Sequence, residues 1–117
     1  MFDRYDDNNV FAQIIAGQLP CNKVYEDEKV LAFHDINPVA PVHILVIPKG
    51  QYISFDDFIQ HSTYVEHFFS VVRQVAFTEG LTDSGYRLVM NHREDSGQIV
   101  PHFHVHIISG KKLGGIG

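Results

Sequence analysis

KVYEDEKVLAFHDINPVAPVHILVIPK, Lys23 to Lys49, packs three strand-like runs into one short stretch. KVYED and KVLAFHD alternate and cluster apolar residues in the manner of strands, with the turn-prone Glu26–Asp27–Glu28–Lys29 between them. NPVAP is a break, because Pro38 and Pro41 have no N–H to give a sheet ladder. HILVIPK then reads as a nearly continuous apolar strand from about His43 to Ile47, stopped by Pro48. Parallel neighbours need a long crossover between them, and these runs leave no room for one. The stretch therefore predicts an α+β chain built on a mostly antiparallel sheet, with helices on one face.

Working outward, Asn9 can cap a short helix over VFAQIIAGQLP. Val10, Phe11, Ile14 and Ile15 supply its apolar stripe, and Gly17 and Pro20 end it. Ser54 to Gln60 has room for one helical turn or two. Thr63 and Glu66 form a capping box at the start of the longest helix, whose stripe is Val65, Phe68, Phe69, Val72, Val75 and Ala76. Gly80 stops it. Tyr86 to Asn91 is a fourth strand, HREDSGQIV a polar loop, and Val100 to Ile108 a fifth strand. GKKLGGIG is Gly-rich and expected to fray or lie on the surface. There are no internal repeats, and 117 residues suit one domain, 1–117.

Composition narrows the class. A formal net charge of -5 argues against general nucleic-acid affinity, which needs clustered Lys and Arg. Cys21 is the only cysteine, so the chain can form neither an internal disulfide nor a multi-thiolate zinc site, and nothing around it suggests an activated thiolate. MFDRYDDNN is polar and acidic, unlike a targeting peptide, and no apolar run is long enough to span a bilayer. The expectation is a cytoplasmic protein without membrane contact. Eight histidines are many for this length.

Three of them alternate in VPHFHVHII, Val100 to Ile108. On a strand, Phe103, Val105 and Ile107 would face a core while His102, His104 and His106 share the opposite face. A polar strand face without chemistry explains one or two histidines better than three. H-x-H on a strand can bind zinc, but the outer two of three alternating positions lie about 13 Å apart, too far to share one ion. Alternatively, unprotonated imidazole is a good nucleophile toward phosphorus at neutral pH. Spacing alone leaves the metal and the nucleophile readings open.

The runs AFHDINPVAPVHILVIPKGQYI (Ala32 to Ile53) and NHREDSGQIVPHFHVHIISGKK (Asn91 to Lys112) closely resemble the histidine triad family. Its signature, H-x-H-x-H and two apolar residues, is HFHVHII here, and the nearer match is the HINT-like nucleotide-binding branch. The resemblance implies a HIT-like fold, with a five-stranded antiparallel sheet, one long and one short helix, and a homodimer joined through its sheets. It also implies hydrolysis of purine nucleoside 5′-phosphoramidates or nucleotidyl–lysine adducts, with no metal or other cofactor. By motif position, His104 would be the nucleophile and His106 the partner of phosphate or leaving group, while His102 and His43 orient them. Asp35 would hold the ribose. The remaining nucleotide-binding set would be Val10, Phe11, Ile14, Phe33, His34, Ile36, Leu45, Asn91, Gly97, Gln98, Ile99 and Val100. His34, His61, His67 and His92 receive no catalytic role. Gly97 would let its loop approach closely, and its neighbouring N–H groups could cradle phosphate. Ile99 stands where relatives commonly carry Ser or Thr, and Pro101 where a residue with an N–H is usual. Dinucleoside polyphosphate hydrolysis, or a non-enzymatic module binding zinc or nucleotide, are the other readings.

Overall fold

The computed structural model describes Met1 to Ile116. Five strands form one sheet in the order β1-β2-β3-β5-β4. They are β1 Lys23–Glu26, β2 Val30–His34, β3 Val42–Pro48, β4 Arg87–Val89 and β5 Val105–Ser109. Every neighbouring pair is antiparallel, as the short connections of β1–β2 and β2–β3 require for those two pairs.

Four helices accompany the sheet: α1 Val10–Ile15, α2 Phe55–His61, α3 Val65–Thr78 and α4 Arg93–Ser96. They do not share one face, which corrects the expectation from strand spacing. Val30, Ala32, Ile44, Val46, Val105 and Ile107 pack on one side against Phe58 of α2 and Phe68, Val72 and Val75 of α3. Leu31, Phe33, Leu45 and Ile47 pack on the other against Phe11 of α1. The apolar runs in β2 and β3 have no polar alternation, and a strand of that kind is covered on both faces. Phe103 stacks on Phe58 with ring centroids 4.8 Å apart, joining the triad segment to the larger core.

Asn9 caps α1 as its sequence indicates, accepting from the N–H groups of Phe11 and Ala12. Asn9→Ala leaves those donors without their partner and is expected to lower stability by about 1 kcal/mol. A lower urea midpoint at unchanged slope would register it. The capping box at the longest helix does not form. α3 begins at Val65, and its N-cap Tyr64 makes no capping bond through its side chain. The Tyr64 N–H instead meets the Ser62 hydroxyl, fixing the bend between α2 and α3.

The polar loop after β4 contains the single turn of α4, closed by Gly97 at φ 86°. No atom lies within 4 Å of where a Gly97 Cβ would stand, so the left-handed backbone, and not a close approach, calls for glycine. The tail is tied to the sheet edge where the Arg87 guanidinium donates to the Gly114 carbonyl at 2.7 Å. Among the described residues, no helix is long and apolar enough to cross a membrane.

Candidate active site

Regular strand pairing begins only at Val105, so His102 and His104 precede the ladder and His106 alone sits on β5. The chain turns at Pro101. The His102 N–H bonds back to the Val100 carbonyl at 2.8 Å, closing a three-residue turn around a proline whose fixed φ suits it. The stretch after β3 catches the displaced segment. The Tyr52 carbonyl accepts from the Phe103 N–H, and the Ile53 carbonyl accepts from the Gln98 side chain. Alternation of faces survives: Phe103, Val105 and Ile107 enter the larger core, while the three imidazoles lie on the α1 side.

The histidine stripe is not exposed to solvent as a plain surface strand would be. His102 is wholly buried, and His104 is 7% exposed. Hydrogen bonding assigns the proton on each ring. His102 Nε2 faces the Pro48 carbonyl at 2.8 Å, so Nε2 carries the hydrogen and Nδ1 is the acceptor, reached by the Tyr5 hydroxyl at 2.6 Å. His104 Nδ1 faces the His102 carbonyl at 2.7 Å and must donate, which leaves Nε2 with a free lone pair. His43 Nδ1 accepts from the Val39 N–H at 3.2 Å, so its Nε2 donates to His106 Nδ1 at 2.9 Å. His106 Nε2 is thereby the remaining donor of that ring.

Electrostatics agree with neutral rings. Burial pushes His102 down to about 4. Burial, with His104 and His43 beside it, does the same for His106. His104 is lowered chiefly by burial. Sheet register explains the grouping. Leu45 is opposite His106, and His43 lies two residues before Leu45 on the same face, where its ring centroid is 5.2 Å from that of His106. The His104 ring is 4.9 Å from His106 and 5.0 Å from Phe11.

His43, His104 and His106 open into a cleft of about 1130 Å³. Val10, Phe11, Ile14, Phe33 and Leu45 line its apolar part, and His34, Asp35, Ile36, Asn91, Gly97, Ile99 and Val100 also border it. Asp35 Oδ1 accepts from the Asn37 N–H, and Oδ2 lies 3.3 Å from His43 Nε2. Two residues of the expected set stay outside the cleft. His102 is sealed beneath it. Gln98 spends its side chain on the backbone at Arg93, Ile53 and Val100, holding the loop rather than lining the cleft. Arg93 takes φ 61° there, a left-handed conformation uncommon outside glycine.

Leu19, Pro20, Cys21, Asn22, Asn37 and Val39 complete the lining and were not anticipated. They belong to connections, where periodicity carries no signal. Burial raises the Cys21 thiol, which fits its reading as inert. Tyr5 was also missed, since an acidic N-terminal run gives no hint of a buried partner. His61 and His67 pair with Asp57 and Asp27 away from the cleft. One group among the described residues has metal-ligand geometry: donor atoms of Asp35, His43 and His106 lie within 4.8 Å of one another. Of the three alternating histidines it uses His106 alone.

Residues 16–113 match the model of the HIT domain. The chain belongs to the HIT family. A HIT-like protein of Azospirillum brasilense is 52% identical over 97% of this chain and 95% of its own. The purine nucleoside phosphoramidase of Escherichia coli is 38% identical, with 92% of each chain covered. A histidine triad protein from Clostridium difficile, known at atomic resolution, superposes on this HIT domain with a TM-score of 0.88 at 42% identity. That match covers 97% of this chain and 100% of the other. The five-stranded antiparallel α+β fold expected from the sequence is thus the HIT fold.

Proposed function

We propose that this HIT protein is a HINT-like hydrolase that cleaves purine nucleoside 5′-phosphoramidates or nucleotidyl–lysine adducts through a nucleotidyl–histidine intermediate. The observation that carries the reading is the polarity of the histidine chain: His104 Nδ1–H is bound to a carbonyl, so its Nε2 lone pair is left for attack. The similarity to a purine nucleoside phosphoramidase supports the substrate class.

In the first step His104 Nε2 bonds to phosphorus as the P–N bond breaks, and the departing amine takes a proton at its nitrogen. His106 Nε2–H, held in that sense by His43, is the donor placed for the leaving group. A bound phosphate raises the proton affinity of the neighbouring ring by its negative charge. In the second step water attacks phosphorus and returns a proton to His106 Nε2 as the N–P bond breaks, so both rings are regenerated and a nucleoside monophosphate leaves. The base rests among Val10, Phe11, Ile14, Phe33 and Leu45, and the Asp35 carboxylate accepts from the ribose hydroxyls. N–H groups around Gly97 hold the phosphate.

The same reading makes the protein a homodimer, cytoplasmic, and without nucleic-acid or membrane partners. β4 is an edge strand, and Tyr86, Leu88 and Met90 along it are substantially exposed, as an edge that accepts a second sheet would be. Light scattering at twice the chain mass is the expected result.

The substrate class is tested by offering adenosine 5′-phosphoramidate and a diadenosine polyphosphate side by side. Faster release of amine from the first supports the reading; faster cleavage of the second moves the chain to the polyphosphate hydrolases. The Asp35–His43–His106 group favours one other reading, a metal-binding module without turnover. Phosphoramidase activity that persists in chelator excludes it.

A further inference from the structure

We propose that Tyr5 is a positioning residue for this reaction: its hydroxyl fixes the His102 ring, and through the His102 carbonyl it sets the aim of His104. The inference rests on the function proposed above. Tyr5 lies 97 positions from His102 in sequence, yet its hydroxyl is 2.6 Å from His102 Nδ1. Because His102 Nε2–H is committed to the Pro48 carbonyl, Nδ1 can only accept, and Tyr5 must donate. The ring is therefore held at both nitrogens. Its own backbone carbonyl, two bonds from the ring-bearing carbon, accepts the His104 Nδ1–H at 2.7 Å. His102 does not border the cleft, so its imidazole cannot meet substrate and acts through position.

A simple anchoring role for Tyr5 explains less. The N-terminal segment has other ties: Phe2 is buried, the Gln51 side chain donates to Asp7 at 2.6 Å, and the Asn9 N–H bonds to the Asp6 carbonyl. The Tyr5 hydroxyl is aimed at the one buried imidazole whose carbonyl orients the attacking ring.

Tyr5→Phe keeps the aromatic ring and removes the hydroxyl, which donates to His102 and also meets the Asn9 side chain. The expected result is a fall of about fivefold in kcat, the worth of one buried neutral hydrogen bond, with KM little changed. Nitrogen-15 spectra should show displaced His102 Nδ1 and His104 Nδ1–H resonances in the same variant. Gln51→Ala loosens the other tether and should move neither readout. Unchanged His102 and His104 resonances in Tyr5→Phe would overturn the proposal, as would equal losses in the two variants. The spectra are read without substrate. A wild-type protein that fails to cleave phosphoramidate refutes the proposed function alone, while the resonances still decide whether Tyr5 governs His104.

Discussion

His104→Ala is expected to abolish turnover of adenosine 5′-phosphoramidate while AMP still binds. The loss should be at least about 1,000-fold, the scale on which removal of a covalent nucleophile acts. None of the three histidines grouped with it can replace it. His102 Nε2 is spent on Pro48 and its Nδ1 on Tyr5. His43 has both nitrogens engaged, by Val39 and His106. His106 Nδ1 receives the His43 proton, so its Nε2 carries hydrogen rather than a lone pair. Of these four rings, His104 alone keeps an Nε2 lone pair facing the cleft. Binding should persist, because the apolar lining and Asp35 do not pass through that ring. Calorimetry with AMP and an amine-release assay on one preparation separate the two properties. Loss of AMP binding together with turnover would instead make His104 a structural residue.

Stability is expected to collapse between pH 6.5 and pH 4. His102 titrates at 6.5 when unfolded and at about 4 when buried in the native chain. Between those values the unfolded chain binds the additional proton, so stability rises with pH across the window. The contribution is complete above pH 6.5 and is lost as pH falls through 4. For His102 it is on the order of 3 kcal/mol. That is a large share of the stability of a chain this size. His106 and His104, lowered in the same direction, steepen the slope. Urea unfolding at intervals across the window reads the effect, and His102→Gln should flatten it. A wild-type protein equally stable at pH 4.5 and pH 7 would mean that His102 is hydrated or protonated in the native state.

Much of the fold was legible because the signals were local. The Asn9 cap, the proline break at Pro38 and Pro41 and the crowded strands each follow from backbone chemistry over a few residues. The continuous VLAF and ILVI runs encode the two-sided sheet, whereas strand spacing carries no information about which faces are covered. The capping box does not form: Tyr64 rather than Thr63 is the N-cap, and the helix starts at Val65. At the site, period two gave the correct faces for Phe103, Val105 and Ile107, and the family motif named His43, His104 and His106, which line the cleft, together with His102, which does not. It could not reveal that residues before Val105 leave the ladder, since their partners are the Pro48, Tyr52 and Ile53 carbonyls, which no pattern in the triad itself encodes. Gln98 was read as a ligand contact for the same reason. Tyr5 lay furthest from recognition, because its role exists only in three dimensions.

The proposed covalent intermediate gives the most direct test. Wild-type protein is mixed with adenosine 5′-phosphoramidate, quenched within a turnover, digested and mapped by mass spectrometry. The expected result is an adenylyl group on His104 alone, absent from His104→Ala. Adenylate on another residue, or rapid turnover with no labelled histidine at any quench time, would contradict an attacking Nε2 on His104.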